Sequence, residues 1–526
     1  MSLRNLTTTL LSLALAGSAA AYATTDPATT TKKHPNTKPA SKTPGEIKRA
    51  PAAKPYKTKS KSRKTKPSTH TASTRSTSAK SSAPTTAVAS TSHATPEIAH
   101  TKTVALRTTS TNLANREVLT DHIQQTLATP RMGIENPSAL SYFFNQLHQL
   151  ETDPKSQLVR IIQFGDSHTA ADVFTGALRT LFQGKFGDGG AGFSYAGYPF
   201  AGYRIHGTRR AQSTGWSALG THLADIGDGK VGMGGVSLST GAAGNWVSLD
   251  ADATSLEVQY LVQPNGGSIE IRDNDTLIAT VSTGTPVATE SETVISVPTA
   301  NSTEVPSASA AVYRTTLLPG PHHIEVLTIN DAPVRLLGLS TENAFGITYE
   351  AAGINGAEAS LFLRWNEGLQ EPLLAAVNPA LVVLAYGTNE ASDRNWTEES
   401  YAAMFTRIVE RIRRAAPSAS ILVVGPPDRA LRVGRRAWAP FTGVDRIVAA
   451  QRAVCRQMHC AYWDQRSRMG GFGSMREWVA VSWAQPDHTH FTGEGYNELA
   501  TALFGDILQQ YDNASGTYTR AEGVTK

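Results

Sequence analysis

The sequence predicts an α/β protein, a parallel sheet wrapped by helices, interrupted by an all-β domain and preceded by a long unstructured tail. Three observations predict it. Short, continuously apolar runs alternate with helical patterns at both ends of the body, a long middle region has β-type runs and no helical period, and the positive charge is gathered in a segment of different composition.

The chain has 526 residues, 40% hydrophobic and 18% charged, enough for two or three domains with a buried core. Its 43 glycines and 27 prolines exclude a collagen-like chain, and two cysteines exclude a disulfide scaffold or a Cys-rich zinc module. The net charge of +5 averages two unlike regions. Residues 24–110 carry 17 Lys and Arg against Asp26, Glu46 and Glu97, a net of +14, whereas the chain downstream of them is −10.

Arg4, an apolar stretch over residues 10–21 and Ala21-Tyr22-Ala23 have the layout of a cleaved secretory signal over residues 1–23. The apolar stretch is short for a bilayer span, although an uncleaved anchor is the competing reading. The expectation is therefore an exported protein, periplasmic or associated with the cell envelope. An oxidising compartment permits a disulfide between Cys455 and Cys460, which would tie a helix end to the next strand; two buried free thiols are the alternative. Residues 24–115 are Thr, Ser, Ala, Pro and Lys with few large apolar side chains and cannot offset the entropy of ordering, so they read as a disordered linker. As a coil such a segment spans about 50 Å. Its basic run over residues 54–66 suits tethering to anionic envelope polymers. Nucleic acid is not the expected partner, because no recognition module accompanies the charge.

In the body, residues 158–164 form a continuous apolar strand, followed by a helix over 169–182. Residues 381–385 and 421–424 are further buried strands. Thr397 caps a helix with Tyr401, Met404, Phe405, Ile408 and Ile412 on one side, and residues 444–457 form another. Strands apolar on both faces and separated by helices indicate a parallel sheet. From about 203 to 341, runs at 256–262, 268–272, 277–281, 293–297, 311–317 and 323–328 are separated by Gly, Pro, Asn and Asp, which reads as an all-β domain. The expected divisions are 116–202 and 343–512 for the two parts of the α/β domain, 203–342 for the insert, and 513–526 for a flexible tail.

Four segments carry the chemistry. Gly165-Asp166-Ser167-His168 follows a strand and opens a helix, so Ser167 sits where a nucleophile and an anion site can coincide; a helix N-cap serine is the plainer reading. Ala352-Gly353-Ile354-Asn355-Gly356 and Gly387-Thr388-Asn389-Glu390 each follow a strand and are, singly, ordinary turns. Gly356 can offer a backbone N–H and Asn389 a side-chain amide at the same rim. In Asp487-His488-Thr489-His490, Asp487 can hold one imidazole nitrogen of His490 and leave the other to take a proton from Ser167. A zinc reading of His488 and His490 lacks further ligands, and no metal or organic cofactor is expected. Together, the Ser167 and Gly356 N–H groups and Asn389 would form an oxyanion hole. The absence of a G-x-S-x-G segment argues against an α/β-hydrolase.

In that order, GDSH, GING, GTNE and DHTH resemble the four blocks of the SGNH (GDSL-like) hydrolases. The resemblance implies Ser167 as nucleophile, His490 as base, Asp487 as its partner, Gly356 and Asn389 as oxyanion donors, and a three-layer α/β/α sandwich. A narrower resemblance is to the Ape1-like peptidoglycan O-acetylesterases, which also carry GDSH and an inserted β-sandwich resembling a carbohydrate-binding module. It implies a serine esterase acting on an acetylated polysaccharide, most simply peptidoglycan. An O-acetyltransferase using the same site and a non-catalytic wall-binding protein are the alternatives. His168 either caps the helix or orients substrate. Trp216 and Trp246 either pack in the insert or stack on sugar rings.

Overall fold

A strand that is apolar at every position must be covered on both faces, and the central strands are built this way. The computed structural model describes residues 110–129, 133–221, 226–284, 291–295, 309–435 and 437–523, all within one unit, Lys102–Lys526. The expected signal and most of the expected linker lie outside these residues. No described helix is long and apolar enough to cross a membrane.

The central sheet has six strands, in the spatial order Ile134–Glu135, Ala461–Trp463, Ser420–Val424, Leu381–Ala385, Leu158–Gly165 and Gly346–Gly353. Five are parallel and the short first one is an antiparallel edge. Alternate side chains feed two helical layers. Ile162, Phe164, Val382, Leu384, Ile421 and Val423 share a core with Leu373, Phe405, Ile408 and Val448. Their neighbours Val159, Ile161, Leu381, Val383 and Leu422 pack with Phe144, Leu147, Phe182, Leu503 and Tyr511 on the other face. This is the three-layer α/β/α sandwich. Each large apolar side chain so buried contributes about 1.5–3 kcal/mol.

The helix expected over 169–182 is interrupted. A short turn, Ser167–Ala170, precedes the main helix Phe174–Phe186, with Asp172 at φ +48° between them. The Asp172 side chain explains the break. Its carboxylate accepts from Thr175 Oγ1 (2.5 Å), the His206 N–H (2.6 Å) and both Nη atoms of Arg179 (2.8 and 3.0 Å), and the pair is buried. The Thr397 cap forms as expected, as a box with Ser400.

Between the two parts of the sandwich, the antiparallel strands form the all-β insert. Two long strands, Trp246–Val262 and Ser309–Thr328, pair along most of their length. The runs expected at 311–317 and 323–328 are thus one strand, irregular between Thr316 and Gly320 where Leu317-Leu318-Pro319 leave the ladder. Opposite halves of these strands carry different neighbours, yet Leu249, Ala251, Val258, Tyr260, Tyr313, Ile324 and Val326 share one core, so the halves close on each other as a sandwich. The sheet reaches back past residue 203, because Gly192–Ser194 pairs with Val334–Glu342. Leu261, Val312, Leu337, Phe193 and Tyr195 pack instead with Phe362, Trp365 and Leu369 of the α/β layer. Arg160 spans the joint with a bidentate bond to Glu342 (2.7 Å each).

Two further expectations are revised. The last helix runs Gly493–Gly523 where a flexible tail from 513 was expected; no proline interrupts that segment. Cys455 and Cys460 are buried free thiols and not the permitted disulfide. The turn they flank is already closed, by the Cys460 N–H on the Cys455 carbonyl (2.9 Å) and by His459 at φ +54°.

Asp172→Ala leaves the Arg179 guanidinium buried without its carboxylate. It is expected to cost about 3–5 kcal/mol of stability, measured by chemical denaturation.

Candidate active site

The first parallel strand in sequence, Leu158–Gly165, lies between the second, Gly346–Gly353, and the third, Leu381–Ala385, so the chain order across the sheet reverses there. Loops at the carboxyl ends of strands diverge at such a point and leave a crevice. Gly165 pairs at the same level with Gly353 on one side and Ala385 on the other, so three of the four segments start abreast. No side chain fits at position 165, because a Cβ would meet Thr169 Oγ1 at 2.2 Å and the Ala385 carbonyl oxygen at 2.8 Å.

Ser167 begins the short helical turn, and Asp166 caps it by accepting from the His168 N–H (2.9 Å). Serine is therefore not the cap, and its hydroxyl is left for other work. Ser167 Oγ lies 3.0 Å from His490 Nε2. His490 Nδ1 lies 2.7 Å from Asp487 Oδ2, while Asp487 Oδ1 accepts the backbone N–H groups of Thr489 and His490 (3.0 Å each). Burial raises the Asp487 carboxyl, but these bonds outweigh it and hold the group below the usual carboxylate range. The carboxylate is thus ionised beside an imidazole whose far nitrogen faces a hydroxyl.

Gly356 and Asn389 stand at the same rim, in the turns that follow the neighbouring strands. Gly356 has φ +71°, and the space where its Cβ would sit is open. Asn389 Nδ2 donates to the Ala357 carbonyl (2.8 Å), and the buried Glu390 accepts the Ala359 N–H (2.7 Å). Neighbouring residues of one turn so clamp the other. One Asn389 N–H is used in this clamp and the second remains for a ligand.

Arg429 carried no sequence signal of its own, and the other neighbours of the triad take roles that their motifs did not show. Arg429 follows the strand Ser420–Val424 and donates to the Thr388 carbonyl (2.5 Å) and Ser392 Oγ (2.9 Å). Burial lowers its guanidinium, opposed by the charges of Asp166 and Asp487. Burial pushes Asp166 up to about 6 and His168 down to about 3, the latter aided by the positive charges of His490 and Arg429. His168 is neutral at working pH. Its Nδ1 lies 2.9 Å from the Tyr496 hydroxyl, and its ring packs against His490, Phe491 and Tyr496. That places it as a strut under the base. His488 turns away and stacks on Trp438 with centroids 4.1 Å apart, so it shares no ligand sphere with His490. Among the described residues, no group of three or more His, Cys, Asp or Glu is placed to hold a metal ion. Trp216 Nε1 donates to the Trp246 carbonyl (3.0 Å), and the Trp216 ring packs on the insert core.

The GDSL-like lipase/acylhydrolase family model matches residues 330–497, which hold the Gly356, Asn389 and Asp487–His490 segments. Ser167 precedes that match because the insert separates it. A solved peptidoglycan O-acetylesterase superposes with a TM-score of 0.58 at 26% identity, covering 71% of this chain and 96% of that one. The chain carries a GDSL-like hydrolase domain with the SGNH fold. This SGNH chain is also similar to a family two carbohydrate esterase from Clostridium thermocellum (13% identity, 52% of this chain and 94% of that one, TM-score 0.23). A β-1,3-glucan-binding CBM6 from Bacillus halodurans matches at 18% identity (26% of this chain, 96% of that one, TM-score 0.17). Superpositions this partial constrain neither site nor ligand. No curated protein sequence matches the chain.

Burial pushes Glu390 up to about 8, while a glutamate in the unfolded chain ionises near 4.5. The folded state keeps a proton that the unfolded chain releases, so this group's contribution to stability falls as pH rises from about 4.5 to about 8. Glu390→Gln is neutral throughout and is expected to gain stability relative to wild type across that window, read by urea denaturation at four pH values between about 5 and 8. A difference that stays constant with pH would contradict a protonated Glu390.

Proposed function

We propose that this SGNH esterase is exported and removes O-acetyl groups from peptidoglycan through an acetyl-serine intermediate. The observation that carries the reading is the likeness to a 26% identical peptidoglycan O-acetylesterase, whose chain is covered over 96% of its length. The secretory-signal layout of residues 1–23 supports export, and the basic segment at residues 54–66 supports retention near anionic wall polymers.

The reaction follows from the hydrogen bonds. Ser167 Oγ attacks the ester carbonyl carbon as His490 Nε2 takes its proton, and the ionised Asp487 stabilises the resulting imidazolium. The backbone N–H groups of Ser167 and Gly356 and the uncommitted N–H of Asn389 receive the oxyanion. The C–O bond to the sugar then breaks, and His490 returns its proton to the departing sugar oxygen. Water, deprotonated by the same nitrogen, attacks the acetyl-serine and releases acetate. The half-exposed His490 and Asp487 side chains leave this face of the site open to water, which favours hydrolysis over transfer to a second sugar.

Ser167→Ala is expected to lower acetate release from O-acetylated peptidoglycan by about 10³-fold or more, with thermal stability kept. Unchanged release would remove Ser167 as the nucleophile. Asp487→Asn, which leaves the imidazole without its anionic partner, should reduce kcat on an aryl acetate by roughly 10²–10⁴-fold with a smaller change in KM.

A further inference from the structure

Between the strand Ser420–Val424 and the helix Gly443–Met458, the chain makes a two-stranded hairpin, Ala430–Arg432 with Trp438–Pro440, at the carboxyl end of the sheet. Both of its strands are fixed to the loop that carries the base. The Ala430 N–H donates to the His488 carbonyl (3.1 Å), and the Trp438 ring stacks on His488. Residues 470–473 adjoin the hairpin's foot. The Met475 N–H donates to Asp428 (2.9 Å), and a Cβ on Gly473 would touch the Pro440 ring at 3.4 Å.

What the hairpin turns outward has no use in the chemistry described above. On the hairpin Val433 is 66% exposed and Leu431 39%, and on the adjoining segment Phe472 is 56% exposed. Residues 429–440 contain four arginines and no acid, on a body whose net charge is −10; Arg429 is committed to the site through Thr388 and Ser392, and Arg432 and Arg435 lie on the hairpin. Arg432 donates to the carbonyls of Gly434 (3.1 Å) and Arg435 (2.6 Å), which braces the tip. The Arg435 side chain is exposed and forms no hydrogen bond or ion pair with any described residue. A cation and exposed apolar side chains held beside a catalytic loop suit a ligand with free carboxylates and small apolar groups. Sugar hydroxyls alone do not call for the charge.

We propose that this hairpin and the adjoining residues 470–473 bind the short acidic peptide branches of the wall polymer, with Arg435 pairing a branch carboxylate and Val433 and Phe472 covering its apolar side chains. The inference rests on the peptidoglycan reading and deepens it. It gives the site a means of distinguishing a peptide-bearing glycan from other acetylated polysaccharides.

The test uses the full chain and three substrates: O-acetylated peptidoglycan, the same polymer stripped of its peptides by an amidase, and an aryl acetate. Arg435→Glu is expected to raise KM on the peptide-bearing polymer about fivefold or more, as befits one exposed attraction replaced by repulsion. It should leave kcat, the stripped polymer and the aryl acetate unchanged. Arg435→Gln and Phe472→Ser should act in the same direction with smaller effects. Equal KM for wild type and Arg435→Glu on the peptide-bearing polymer overturns the proposal, and so does an equal rise in KM on the stripped polymer, which would mean that the hairpin reads the glycan. If Arg435→Glu also slows the aryl acetate, the hairpin acts on the catalytic loop and the proposal fails. Wild-type acetate release from either polymer tests the peptidoglycan reading separately.

Discussion

Gly165 sits at one level with Gly353 and Ala385, and the site depends on that register more than on any single side chain. Parallel strands that end together send their loops off from one line, so a hydroxyl, a glycine N–H and an amide from distant parts of the sequence arrive at one rim. The register is held across the loop starts as well. The Ile354 N–H donates to the Gly165 carbonyl (3.0 Å) and the Asp166 N–H to the Ala385 carbonyl (3.4 Å). A slip of one residue in either neighbour would move Gly356 or Asn389 by roughly a strand rise, about 3.3 Å, which is enough to take an oxyanion donor out of reach.

Around this rim the charges are sorted by burial. Asp487, partly open to solvent and bonded to two backbone N–H groups and His490, stays ionised where the base needs an anion. Glu390, fully buried with backbone donors alone, stays neutral and acts as a brace. His168 is held neutral directly beside the nucleophile, so it adds no positive charge that would weaken His490 as a base. Three groups of ordinary type thus take different roles because their surroundings differ in water and in donors.

The insert is joined to the α/β layers through packing and not through a hinge. Phe193, Tyr195, Val312 and Leu337 enter the same core as Phe362 and Trp365. Glu350, pushed by burial up to about 8, lies in the strand next to the one that leads into Ser167 and is shut in at the joint beside the Arg160–Glu342 pair. The edge of the active-site sheet therefore has one of its faces finished by the β domain. That accounts for why neither half of the interrupted domain looks complete by itself.

The strands, the interruption and the four reactive segments were legible in the sequence because they are local: apolar runs, helical spacing and turn chemistry are written in adjacent residues. The family was legible too, since the order of the blocks survives a long insert. Everything else waited on tertiary structure, for reasons of distance. The helix after Ser167 breaks because Asp172 finds Arg179 and the His206 N–H, partners that no local pattern shows. Two β runs fuse because a single long partner strand bridges the irregular residues between them. Arg429 joins the site only because its loop is brought against Thr388 and Ser392. Asp487 and His490, three residues apart, could be paired from spacing; the pairing of His490 with Ser167 was expected from the roles and order of the segments, and the fold makes it across 323 residues of chain.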